Sequence, residues 1–207
     1  MTALPRRPGS GLASPRTRIL AGARRHIFAH GFRAVSMDDL AAELGMSKKT
    51  LYAHFRSKTE LVEAVLHAKF AAVEADLREI TAKRTGNFPD TLHQLLACVQ
   101  RHTAEIQPVF LRDIRRETPD LFHIVEQRRG ALIQEHFGKL LRDGRRAGLV
   151  RKDVSAALAI EILLAAVQGV LNPAKMLELG LTPATGYAAI ITIFLEGVLT
   201  KPRRRDA

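Results

Sequence analysis

Ser36-Met37-Asp38-Asp39-Leu40-Ala41-Ala42-Glu43-Leu44-Gly45-Met46-Ser47-Lys48-Lys49-Thr50-Leu51-Tyr52-Ala53-His54-Phe55 reads as two short helices joined by a tight turn. Ser36 is a helix N-cap with an acid, Asp39, three residues on, and Ser47 is a second cap without the acid. The expected helices run from about Met37 to Leu44 and from about Lys48 to Phe55. Gly45 supplies the left-handed conformation that the turn needs without a Cβ penalty. Ala41 is small where the two helices must cross closely, and Leu40, Leu44, Met46 and Leu51 point inward and set the crossing angle. Lys48, Lys49, Thr50, Tyr52 and His54 are then left on exposed faces of the second helix. A short exposed helix of this kind, held by a helix-turn-helix, fits the major groove of DNA.

Working outward, Ser14-Pro15 pairs an N-cap with proline at the first helical position. Leu20, Ala23, Ile27 and Phe28 then recur at helical spacing up to His30, before Gly31. Ser57-Lys58-Thr59-Glu60 is a further capping box and opens a long helix whose apolar positions are Val62, Leu66, Phe70, Val73, Leu77 and Ile80. Thr85-Gly86-Asn87-Phe88-Pro89 is a cluster of helix breakers. Helical patterns resume at about 90–105, 109–116, 119–147, 154–171 and 184–200, punctuated at Gly148, Asn172-Pro173 and Leu181-Thr182-Pro183. There is no persuasive period-2 run and no internal repeat, so the fold class is all-α. The implied organisation is a disordered basic arm at 1–13, a helix-turn-helix domain at 14–60, a helical domain at 61–200 and a basic tail at 201–207.

The net charge of +11 over 207 residues matters for its placement. Residues 1–60 carry 11 Lys or Arg against 4 acids, and the last seven residues carry 4 bases against 1 acid. Positive charge concentrated at the two ends is the footprint of a polyanion binder. Ser36 and Ser47 stand at helix N-termini, where free N–H groups and the helix dipole favour a phosphate, and Lys58 opens the long helix in the same way. A second reading of the same charge is a non-specific architectural protein that coats DNA electrostatically.

The single cysteine, Cys98, excludes an internal disulfide and gives no sign of an oxidising compartment. The N-terminus lacks the apolar core of a signal peptide. Val154 to Leu171 is barely long enough for a membrane span and carries Glu161 near its centre, so a buried helix is expected instead. These features point to a cytoplasmic protein. Nucleotide loops, metal clusters and catalytic sets are not visible, which argues against an enzyme and implies no cofactor.

The run Gly31-Phe32, Ser36 to Phe55 and Ser57-Lys58 resembles the DNA-binding domain of TetR-family regulators, over roughly residues 16–62. Its Ser-Lys-x-Thr-Leu-Tyr-x-His-Phe-x-Ser-Lys core is specific. The resemblance implies a dimer on a pseudo-palindromic double-stranded DNA operator, with a second helical domain that dimerises and binds an inducer. It further implies that Ser36, Tyr52, His54 and Lys58 contact phosphates while Lys48, Lys49 and Thr50 face bases. Lys49 departs from the small residue of many members; it either reads guanine or adds a phosphate contact.

Beyond the resemblance, two stretches, Val154–Leu171 and Ala184–Thr200, are apolar nearly all round and need cover on both sides. A partner subunit would supply it, making a homodimer; a fully intramolecular core is the alternative. Leu95, Leu96, Val99, His102, Phe110, Ile114, Phe122, Val125 and Ile133 are candidates for the wall of a pocket for a small apolar or amphipathic ligand, and each serves equally as plain core. Cys98 and His102 lie one helical turn apart, but two side chains without a third partner make a poor metal site. Arg112, Asp113, Arg115, Arg116 and Glu117 form a mixed-charge segment, read from its residues as a solvated surface; the family resemblance implies a role in transmitting ligand binding.

Overall fold

The structure, a computed structural model, describes residues 14–83, 87–171 and 173–199. The expected arm at 1–13 and tail at 201–207 lie outside them. The described residues are helical apart from turns and one isolated antiparallel bridge, Val150 to Leu199. The helices are α1 (Pro15–His30), α2 (Met37–Glu43), α3 (Lys48–His54), α4 (Lys58–Lys83), α5 (Phe88–Thr103) and α6 (Pro108–Glu117). They continue with α7 (Pro119–Leu132), α8 (Lys139–Arg146), α9 (Ala156–Val170), α10 (Pro173–Glu178) and α11 (Pro183–Val198). The N-terminal caps act as read from sequence. Ser14, Ser36 and Ser47 each accept a hydrogen bond from the N–H three residues on.

Two features depart from the sequence pattern. The helix expected over 119–147 contains a π-helical turn at Ile133–Gly138, between α7 and α8. The punctuation expected around 172–183 includes the short helix α10. Neither has a strong local signal, because a π turn and a six-residue helix depend on their neighbours more than on propensity.

The chain forms two compact units, and the boundary expected between 60 and 61 moves. One unit comprises residues up to Lys69 together with Ala104–His123; the other comprises Phe70–Thr103 and the residues from Ile124 onward. Tertiary contacts explain why α6 joins the N-terminal unit. The Phe28 and Phe110 rings pack with centroids 4.9 Å apart, and the Gln107 N–H donates to the Phe28 carbonyl at 3.0 Å. The Arg33 N–H donates to the buried Asp113 carboxylate at 3.0 Å. Glu105 pairs with Arg24 of α1 at 3.2 Å and with the buried Lys69 of α4. The Lys69–Glu105 pair spans 36 residues and the other contacts span about 80, out of reach of any local reading.

The second unit is built around Leu77, Leu92, Leu95, Leu96, Cys98, Phe137, Leu141, Ile160, Leu163 and Ile191. Tyr187 of α11 donates its hydroxyl to the Leu96 carbonyl, which satisfies a polar group inside this apolar cluster. None of the helices of the described residues is long and apolar enough to cross a membrane.

His136, in the π turn, is buried and its Nε2 has no hydrogen-bond partner. Burial holds its pKa below the ordinary value of 6.5, because the charged imidazolium loses its hydration there. The unfolded chain therefore takes up this proton first. Its contribution to stability is intact above pH 6.5 and is lost as pH falls from there toward the depressed folded-state value. Urea unfolding between pH 7.5 and 5 should thus show a shallower loss of stability in His136→Phe than in the unaltered chain. Parallel pH profiles would remove His136 as the cause.

Candidate nucleic-acid interface

The helix-turn-helix stands on a few buried side chains. Leu40 and Leu51 are wholly buried, Ala41 nearly so, and Phe55 closes the C-terminal end of α3. Met46 and Leu44 are half-buried. Gly45 sits at φ +60° in open space, so its glycine is required by backbone conformation and not by crowding. Gly22 of α1 has the opposite reason. A Cβ there would lie 2.1 Å from a Leu44 methyl, so a larger residue would require the Leu44 side chain to shift.

This framework leaves Lys48, Lys49, Thr50 and Tyr52 exposed on α3, with Tyr52 47% accessible. The first turn of α3 has no acid, so its dipole and two lysines present positive charge together. Lys48 nevertheless has a partner. Its ammonium pairs with Asp38 of α2, which raises its pKa and holds the side chain across the two helices. The Ser47 hydroxyl caps α3, accepting from the Thr50 N–H at 3.1 Å and lying 2.8 Å from the Thr50 hydroxyl.

Ser36 is exposed, but its hydrogens are committed. Its N–H and hydroxyl both donate to the Asp39 carboxylate, at 2.9 and 2.6 Å, which lowers the pKa of that acid. With Asp38 and Asp39 in its first turn, the start of α2 is more acidic than the start of α3. His54 is half-buried at the end of α3.

Lys58 is the clearest surprise. Its ammonium donates to the carbonyls of Phe32 and Val35, at 2.9 and 3.0 Å, and sits 4.2 Å from the centre of the Phe32 ring. Burial lowers its pKa, opposed by Glu117 and Asp113. This lysine ties the start of α4 to the loop between α1 and α2. Two of its three N–H bonds are spent on carbonyls within the protein, a role that residue type and spacing did not reveal.

The nine candidate pocket residues are divided between the two units. Leu95, Leu96, Val99 and Ile133 belong to the core of the second unit, and Val125 is buried in that same unit. His102 of α5 meets Asp76 of α4, with Nε2 to Oδ2 at 2.8 Å. Phe110 and Ile114 are wholly buried in the first unit, where Phe122 lines a surface groove with Leu111, Arg112, Arg115 and Arg116. The mixed-charge segment is therefore partly structural. Asp113 is buried, whereas the three arginines remain exposed.

Residues 19–65 match the family model described as bacterial regulatory proteins, tetR family. The chain is 27% identical over 193 residues to the uncharacterized HTH-type transcriptional regulator YvaF of Bacillus subtilis, covering 92% of this chain and 98% of that one. It is also 27% identical to the HTH-type transcriptional regulator UidR of Escherichia coli, across 89% of this chain and 93% of the relative. A putative transcriptional regulator from Saccharomonospora viridis, solved in complex with choline, shares the fold with a TM-score of 0.72. It is 18% identical, covering 90% of this chain and 98% of that one.

Two substitution sets separate the framework from the exposed surface. Gly45→Ala should cost about 1 kcal/mol of unfolding free energy and Gly45→Val about 1–3 kcal/mol, from positive-φ strain; equal urea midpoints would contradict the turn. Lys58→Met should cost about 1–3 kcal/mol through carbonyls left unpaired. Lys49→Ala should leave stability unchanged, weaken binding to the preferred DNA sequence by about 1–3 kcal/mol and relax the preference at the base that it faces. The reverse pattern would exchange their roles.

Proposed function

The chain belongs to the tetR family of bacterial regulatory proteins, and from that premise we propose that it is a cytoplasmic, homodimeric repressor released from a palindromic operator by a small-molecule ligand. The observation that carries the reading is α3, whose buried Leu51 and Ser47 cap hold Lys48, Lys49, Thr50 and Tyr52 outward on one short helix. Lys49 and Thr50 read base edges in the major groove. Lys48 exchanges its Asp38 partner for DNA, and Tyr52 and His54 position the helix on phosphates. Two such helices, about 34 Å apart in a dimer, meet successive major grooves on one face of the duplex.

The dimer is assigned to α9 and α11. Leu158 and Ile162, one turn apart on α9, are 53% and 54% accessible, and Ile193 on α11 is 71% accessible. Large aliphatic side chains left open on two adjacent helices favour a second copy as cover. The ligand acts through the second unit, and α4 supports that idea because it begins beside the helix-turn-helix and continues into that unit. Release requires a ligand that binds the DNA-incompetent state more tightly than the competent one. The choline-bound neighbour supports a small-molecule site in this fold without specifying the ligand here.

Selection of bound sequences from a random duplex pool tests the reading. A two-fold-symmetric consensus is expected, with an Ile162→Arg/Ile193→Arg variant sedimenting as a monomer and losing affinity for that consensus. Salt-sensitive binding without enrichment would instead establish the architectural, charge-driven alternative.

A further inference from the structure

We propose that Asp76, Cys98 and His102 form a binding site for a thiophilic divalent transition metal of the zinc class, within the second unit. The sequence offers only the Cys98–His102 pair, one turn apart on α5; folding adds Asp76 from the neighbouring α4. One ligand atom from each residue lies within 4.8 Å of the others. A tetrahedral centre with metal–ligand bonds of about 2.0–2.3 Å places its donors about 3.3–3.8 Å apart. The group is thus within about 1 Å of that geometry, a distance that side-chain adjustment covers. His102 Nε2 and Asp76 Oδ2, now 2.8 Å apart, would separate slightly as both turn to the metal.

Chemistry narrows the class. A thiolate, an imidazole and a carboxylate suit zinc, and the thiolate disfavours magnesium and calcium, which take oxygen ligands. On binding, the Cys98 thiol gives its proton to solvent and the sulfur becomes a thiolate donor. Thiolate and carboxylate then balance the two charges of the metal, so the complex is neutral where Cys98 is wholly buried. Access runs from the solvent side, since the Asp76 side chain is 47% and the His102 side chain 17% exposed. Three protein ligands leave a fourth position for water or an exogenous donor. The site would join α4 to α5, and it stands independently of the DNA-binding reading.

Cobalt(II) titration of the purified, reduced full-length chain tests it. Since the chain has one cysteine, a thiolate-to-cobalt charge-transfer band in the near ultraviolet reports Cys98 alone. One cobalt per chain is expected, displaced by zinc, with the band absent in Cys98→Ser. Asp76→Asn and His102→Gln should each weaken cobalt binding at least about tenfold while keeping the circular dichroism of the unaltered chain. These two variants carry the test if Cys98→Ser does not fold. No charge-transfer band in the unaltered chain, or unchanged cobalt affinity in both Asp76→Asn and His102→Gln, would overturn the proposal and leave the cluster as an ion pair beside a core cysteine.

Discussion

Helices α2 and α3 have seven residues each, far too few to persist in water on their own. Everything presented on α3 therefore depends on the burial of Leu40, Ala41 and Leu51 against the rest of the N-terminal unit. That burial holds the two helices at a defined crossing, and the Gly45 turn permits it. The caps Ser36 and Ser47 then satisfy N–H groups that such short helices would otherwise leave unpaired. An exposed lysine or tyrosine on α3 can be exchanged without loss of the fold, but the apolar positions beneath cannot.

The support extends beyond the helix-turn-helix. Residues Ala104–His123 return to the N-terminal unit, and their contacts with α1 and the loop after it are of several kinds: the Phe28–Phe110 ring pair, a backbone hydrogen bond and the Asp113 carboxylate. Lys58 adds a polar tie between α4 and the loop before α2. Polar side chains in this unit thus divide by environment. Those within reach of buried carbonyls or N–H groups serve the fold, and those on the open face of α3 remain available to a partner. Lys48 stands between the two classes, because its Asp38 partner is itself exposed and the pair can be traded for another anion.

The second unit has a different logic. Its core is mainly aliphatic with a few phenylalanines, and polar groups of the unit are paired with one another or with backbone, as with Tyr187 on the Leu96 carbonyl and His102 on Asp76. His136 is the departure, a buried imidazole with an unpartnered nitrogen, and it marks the π turn that breaks the regular ladder between α7 and α8. The aliphatic side chains that this core does not absorb emerge on α9 and α11.

By itself the sequence determined the all-α class, the helix-turn-helix and most helix ends. These are local properties: cap residues, proline at the first turn, glycine at positive φ and apolar spacing act over a few residues and leave a mark at each. It also identified Lys48, Lys49, Thr50 and Tyr52 as exposed, since burial of Leu51 dictates the opposite face of α3. Only the tertiary structure decided that Ala104–His123 joins the N-terminal unit, that Lys58 is spent on carbonyls and that Asp76 meets Cys98 and His102. The physical reason is distance along the chain. Each of these contacts joins residues more than 20 positions apart, and nothing in the local pattern records which distant group will satisfy a given charge or apolar face.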